Sequence, residues 1–278
     1  MKPDRPPPIA LDEVERAHLR DPTDVSHRIY RYEVPGDLTD LARRFWIPVW
    51  SVPPGQEAPQ KVLQYPVALI VVTDDYARFY GVSPGLSVTT LAGNGWGVGV
   101  SFQPAAGLLL AGGPMSAWTG RHAELSEVFG DAGVELADRV RAAMGADPHD
   151  PDAHDVAMAV VNELMRRHLP VDHEGLLVNS IVRFVEQDPD ITRVAQVCGA
   201  FDLAERSLQR LTRRRLGLSP KWLIQRRRLH EAAERFRDGY ADLADIAANL
   251  GYADQSHLTR DFRSVTGMTP GEFAARFG

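Results

Sequence analysis

Residues 191–278 carry one helical unit written twice, and no other feature of the chain narrows its fold as much. Shifted by fifty positions, Leu208 falls on Leu258, Arg210 on Arg260, Arg213 on Arg263, Gly217 on Gly267 and Pro220 on Pro270. Cys198 and Asp202 align with Ala247 and Gly251 at a shift of forty-nine, so the turn of the second copy is one residue longer. A solenoid needs three or more units to bury a continuous core. Two copies therefore imply two equal tasks at neighbouring places.

Each copy reads as a helix, a tight turn and a second helix. In the first copy (about 191–216) the helices are expected over 191–199 and 205–216, the second stopped by Gly217. Asp202 stands at the turn where the second copy has Gly251, and Asp is among the few residues that tolerate a left-handed backbone. Ser219 and Pro220 then open a linker helix (220–238): a serine cap followed by proline at the first position, where the missing N–H costs nothing. Over 221–237 its length is roughly 25 Å. In the second copy (about 242–266), helices are expected over 242–249 and 255–266, with Asp254 as N-cap and Gly267 as stop. Thr269, Pro270 and Glu272 have the spacing of a capping box for a last helix.

The outward positions of each second helix share one chemistry. The second copy presents Gln255, Ser256, Thr259 and Arg260, and the first presents Arg206, Gln209 and Arg210. Gln forms bidentate bonds to adenine and Arg to guanine, and in a helix–turn–helix the N-terminal part of the second helix meets base edges. Ser207, Arg213, Arg214, Lys221 and Arg263 flank these as phosphate contacts. A rigid linker of that length suits half-sites about 34 Å apart on one face of a duplex.

Overall charge argues against such a partner only if it is spread evenly. The net charge is −6. Residues 1–169 hold 15 Lys+Arg against 22 Asp+Glu, while 170–278 hold 16 against 15. The stretch 206–228 holds nine cations and no anion, the local sign that attracts phosphate. A single cysteine, Cys198, excludes an intrachain disulfide and fits a reducing cytoplasm. It stands at a small-residue helix contact, as a spacer rather than a redox sensor. No run of eighteen apolar residues predicts a membrane span, and the first residues lack the apolar core of a secretory signal.

The front half reads differently. An arm (1–24) with a short helix over 11–19 precedes a β-rich domain (25–170) that ends in helices expected over 105–110, 123–129, 134–144 and 153–168; the helical domain follows (171–278). Strands are expected over 26–34, 46–52, 61–73, 77–82, 86–91 and 96–102, with a short helix at 37–45. Short strands at this spacing predict a barrel-like or sandwich domain, so the fold class is α+β. The run Gly93-Asn94-Gly95-Trp96-Gly97-Val98-Gly99 departs from GxGxxG and leads into strand, so it reads as a strand of closely approached glycines. The segment 147–155, with two histidines and four aspartates, invites a metal reading. Its prolines and acids fit a loop and helix start better, and no metal or cofactor is expected.

The residues Ile246-Ala247-x3-Gly251-Tyr252-x3-Ser256-x-Leu258-x-Arg260-x-Phe262-x4-Gly267-x2-Pro270 resemble the signature of the AraC/XylS family of transcriptional regulators. Arg206-Ser207-Leu208-Gln209-Arg210, followed by Gly217-Leu218-Ser219-Pro220, resembles its first helix–turn–helix. The likeness covers about 175–277. It implies a seven-helix domain on two successive major-groove segments of double-stranded DNA, with RNA polymerase and a second copy of the chain as further partners. Two departures stand out: Asp202 replaces the turn glycine, and Thr212 stands where an aromatic such as Phe262 anchors the helix, so a looser first copy is expected. Residues 30–130 resemble more loosely the β-rich domain of actinobacterial-type members, which implies a small effector or dimerisation. Trp46, Trp50, Tyr65, Trp96, Phe102 and Trp118 are the aromatic candidates for an effector pocket. Two other classes compete with a gene regulator: an enzyme tethered to DNA by the repeat, and a module that docks on protein. No cysteine precedes Cys198, so a tethered enzyme of the DNA-repair kind, with a reactive N-terminal cysteine, lacks its nucleophile, and no enzyme is expected.

Overall fold

Alternation of side chains along one long strand sets the front half. In the computed structural model, which describes residue 19 and residues 24–239 and 242–277, strand β2 (Ala42–Ser51) buries Phe45, Ile47 and Val49. Arg44, Trp46, Pro48 and Trp50 fall on its other face, as the two-residue period of a strand requires. β1 (His27–Glu33) pairs with β2 antiparallel, and β7 (Asn94–Phe102) flanks it on the other side. Opposite β7 the ladder passes from Trp46↔Gly99 to Val49↔Trp96 and skips Pro48, which has no N–H to give. β4 (Leu69–Thr73), β5 (Ala77–Tyr80) and β8 (His122–Glu124) complete a sheet of order β1-β2-β7-β4-β5-β8, antiparallel throughout. β3 (Ala58–Val62) and β6 (Ser87–Leu91) form a separate ribbon. The barrel-like domain is thus an open sheet with a ribbon beside it, not a closed barrel.

Helices α1 (Ala106–Ala111), α2 (Leu125–Phe129), α3 (Asp131–Met144) and α4 (Pro151–Arg166) supply residues to the core on one face of that sheet. There Phe45, Ile70, Phe79 and Phe102 meet Val140, Val161 and Met165. The Asp150 carboxylate caps α4 by accepting from the Asp152 N–H at 3.0 Å, and Pro151 takes the first position. Seven further helices fill the C-terminal part: α5 (His173–Gln187), α6 (Val194–Phe201), α7 (Glu205–Leu216), α8 (Pro220–Arg237), α9 (Leu243–Asn249), α10 (Gln255–Thr266) and α11 (Pro270–Phe277).

Three expectations need correction. The helix over 37–45 is a single 3₁₀ turn (Gly36–Leu38) running into β2. Leu38 and Leu41 are buried, yet the pairing of β1 with β2 decides the backbone from Ala42 on. The strand over 61–73 is broken in two around Pro66, leaving Tyr65 and Val67 in a buried connector. A short strand, β8, precedes α2 where only helix was expected. The arm helix expected over 11–19 lies, apart from Leu19, outside the described residues.

Candidate nucleic-acid interface

Both helix–turn–helix units form as the repeat predicts, and their backbones close in matching ways. α6 ends at Asp202, whose φ of 49° makes it the non-glycine residue with positive φ among the described residues. Gly251 holds the second turn at φ 71°. α10 is capped by Asp254, whose carboxylate accepts from the His257 N–H at 2.7 Å, whereas Ala204 gives α7 no side-chain cap. Ser219 accepts from the Trp222 N–H at 3.2 Å to start α8. Thr269 and Glu272 exchange bonds as a capping box for α11.

The residues expected to read bases stand outward. Arg206, Gln209 and Arg210 on α7 and Gln255, Ser256 and Arg260 on α10 are exposed; Thr259 is half-buried. Gln209 is held by Glu205 at 2.9 Å, and Arg260 Nε donates to the Ser256 carbonyl at 3.3 Å. Ser207 is half-buried, while Arg213, Lys221 and Arg263 are exposed. Arg214 is also exposed, but it is ion-paired with Glu174.

The basic stripe is only partly a surface. Of its nine cations, Arg215, Arg226, Arg227 and Arg228 are buried. Arg215 is bound by Asp172 and Glu174 at the start of α5. Arg226 donates to the Pro84 carbonyl and lies 4.5 Å over Trp222, and burial pushes its pKa down to about 10. Arg227 pairs with Glu231 and donates to the Ile191 carbonyl ahead of α6 at 3.1 Å. Arg228 lies 3.7 Å over the ring of Tyr252, whose hydroxyl donates to Asp261 at 2.9 Å. α8 therefore ties the segment ahead of α6 to the turn of the second unit through arginines that the sequence offered as free charge.

The two units differ in what supports them. Phe262 of α10 packs edge-on against Phe236 and Phe273 at 5.0 and 5.1 Å, in an aromatic core that Leu63 of the front part also enters. Thr212, its counterpart, is fully buried, and its neighbours Leu208, Leu211 and Leu216 join the core of the front half. Thr119, beyond α1, donates to the Gly217 carbonyl at 3.1 Å. The missing aromatic leaves the first unit leaning on the β-rich part rather than loose.

A family model described as a helix–turn–helix domain matches residues 197–276, and one described as a domain of unknown function matches 30–124. A protein of Streptomyces antibioticus described as an AraC-like transcription regulator is 30% identical over 132 residues, 44% of this chain and 44% of that protein. Residues 197–276 thus form a helix–turn–helix domain, and the chain is similar to AraC-like regulators over part of its length. The HTH-type transcriptional activator RhaR of Yersinia pseudotuberculosis (serotype O:1b) is 33% identical over 84 residues, 30% of this chain and 29% of that one. The match spans less than half the length of either relative. Among solved structures, Vibrio cholerae ToxT is 13% identical with a TM-score of 0.40, over 91% of this chain and 99% of that one.

Ahead of the helix–turn–helix domain, a cavity of about 450 Å³ opens on the sheet face away from the helical core. Of the six aromatic candidates, Trp46, Trp50 and Tyr65 line it. Trp96 and Phe102 point to the opposite face and Trp118 packs on Phe79, so these three belong to the core. The β7 glycines explain the difference. A Cβ on Gly99 would lie 2.2 Å from the Trp46 ring and one on Gly95 2.4 Å from Trp50, so bare backbone leaves room for both indoles. Arg31, Arg44 and Gln64 also line the cavity and were missed. Their signal was alternation: Arg31 follows Ile29, and Arg44 precedes Trp46 and Trp50, at strand period. The Tyr65 ring stacks on His230 of α8 at 4.1 Å, and burial keeps that imidazole neutral well below its ordinary pKa.

The histidines of 147–155 have structural partners. His149 bonds the Tyr30 hydroxyl at 2.9 Å; His154 bonds Tyr32 at 2.6 Å and the Pro148 carbonyl at 2.9 Å. Among the described residues no three His, Cys, Asp or Glu side chains gather as a metal site, and no helix is long and apolar enough to cross a membrane.

Proposed function

We propose that this chain is a sequence-specific DNA-binding transcription regulator whose α7 and α10 enter successive major grooves. One observation carries the reading: two helix–turn–helix units present Arg206, Gln209 and Arg210, and Gln255, Ser256 and Arg260, to solvent while one helix braces the start of the first unit and the turn of the second. The front part (25–170) acts as the regulatory unit and 171–278 as the reader. A small molecule in the cavity would touch Tyr65, and through it His230 on α8, the helix shared by both units. RNA polymerase and a second copy of the chain belong to this reading as partners on the family likeness alone. Fluorescence anisotropy with labelled duplexes tests it. The double variant Arg206→Ala/Arg260→Ala should lose binding to a selected duplex and keep its binding to random duplex. Equal losses on both would reject base reading by these helices.

A further inference from the structure

The two helix–turn–helix units touch each other beside a small recess. Gly251, in the second turn, stands so near the approach to α6 that a Cβ on it would lie 3.2 Å from Thr192 Cγ2. At this joint a pocket of about 260 Å³ opens between that approach, the first half of α8 and the start of α10. The volume is small for a whole organic ligand and suits a single group presented from outside.

Three elements bring charge of one sign to it. Arg193, just ahead of α6, and Lys221, in the first turn of α8, are exposed; Arg228 of α8 is buried. His257 of α10 adds a ring that can donate an N–H, and no Asp or Glu is among the lining residues. Arg228 and His257 both rest on the ring of Tyr252, at 3.7 and 5.2 Å, so one aromatic positions the two. Arg228 is the telling member. It is 9% exposed, and its Nε and Nη2 donate to nothing among the described residues. Glu231, within reach of its field, is bound by Arg227. On α10, Asp261 accepts from the Tyr252 hydroxyl and Asp254 from the His257 N–H. A buried guanidinium N–H without an acceptor is costly, and an anion with several oxygens answers it best. The place is also apt: Lys221 follows α7 by a short loop, and His257 adjoins Ser256 on α10.

We infer that this recess seats one backbone phosphate of the duplex, on a strand that runs between the two groove segments. Arg193, Lys221 and Arg228 hold it, with His257 beside them. The inference rests on the base reading proposed above and adds the contact that sets where both reading helices stand along the strand. Arg193, Arg228 and His257 thereby join the DNA-binding surface.

The test scans a selected duplex with single methylphosphonate linkages, each removing one phosphate charge and leaving every base in place. Anisotropy with the full chain should show a position between the two blocks where this weakens binding roughly tenfold or more, as loss of a charge-assisted hydrogen bond implies. Arg193→Gln/Lys221→Gln, at exposed positions, should bind the unmodified duplex more weakly and no longer register the change at that position. Penalties at other phosphates should stay, which separates a shared contact from a general loss. Arg228→Lys, which keeps the charge but not the fork, should shrink the same peak. A flat profile between the blocks, or a peak that survives both variants unchanged, would overturn the seat and leave base reading intact. A random pool that yields no preferred duplex would overturn both.

Discussion

The contact between Arg215 and the start of α5 allows a prediction with an unusual sign. Arg215 is 1% exposed, while its partners Asp172 and Glu174 are 52% and 36% exposed. The cation is sunk and the anions stand in water. Removing one side of a buried pair costs about 3–5 kcal/mol, because the other charge is stranded. Here the cost depends on which side goes. Asp172→Asn/Glu174→Gln strands a guanidinium with no anion to meet it. Solvent reaching the pair discounts the cost to about 2–3 kcal/mol. Asn keeps the N-cap that Asp172 gives the Gly175 N–H, so cap loss does not contribute. Arg215→Met leaves two carboxylates free to hydrate and fills the slot with a stem of similar length; it should cost about 1 kcal/mol or less. In urea at neutral pH the first variant should lose on the order of 1 M in midpoint and the second well under half of that. The difference carries a pH signature. Burial alone would raise the Asp172 pKa, but the Arg215 hydrogen bond, the Gly175 N–H and the nearby guanidinium charges together hold it below its ordinary value. A depressed carboxyl contributes stability above its unfolded pKa, near 3.9, and loses it as pH falls through the folded value. The gap between wild type and Asp172→Asn/Glu174→Gln should therefore narrow below about pH 4. A larger loss for Arg215→Met than for the carboxylate variant would refute the reasoning.

Further predictions concern the reader. Arg260→Ala should cost roughly 1–3 kcal/mol on a selected duplex and relax preference in one half-site, read by competition with base-substituted duplexes. Lys221→Ala should weaken all duplexes alike and reduce the slope of log affinity against log salt by about 1. Arg214→Ala should change that slope less, because Glu174 already engages its charge. In residues 171–278 alone, hydrogen exchange should show α7 losing protection while α10 keeps it. Leu208, Leu211 and Leu216 lose the core they share with the front half, whereas Phe262 keeps Phe236 and Phe273.

What the sequence disclosed was what depends on local rules. The caps at Ser219, Asp254 and Thr269, the stops at Gly217 and Gly267 and the left-handed Asp202 all follow from residues within a turn of each other. What it hid depends on partners far along the chain. Arg226, Arg227 and Arg228 are consecutive, so no single helix face contains them. All three are buried because α8 is enclosed by the β-rich part and by both helix–turn–helix units. Thr212 read as a gap in the first unit, and the gap is filled from the front half. The pocket aromatics divided by strand phase. Trp46 and Trp50 stand across from Gly99 and Gly95 in the ladder, and only that register sets them apart from Trp96 and Phe102.

The account's central claim is that α7 and α10 read two neighbouring groove segments, and selection of bound duplexes from a random pool by the full chain tests it most directly. The account predicts two conserved blocks centred about one helical turn, roughly 10–10.5 base pairs, apart, with Arg260→Ala degrading one block and Arg206→Ala the other. A single conserved block, or none above the random background, would contradict it.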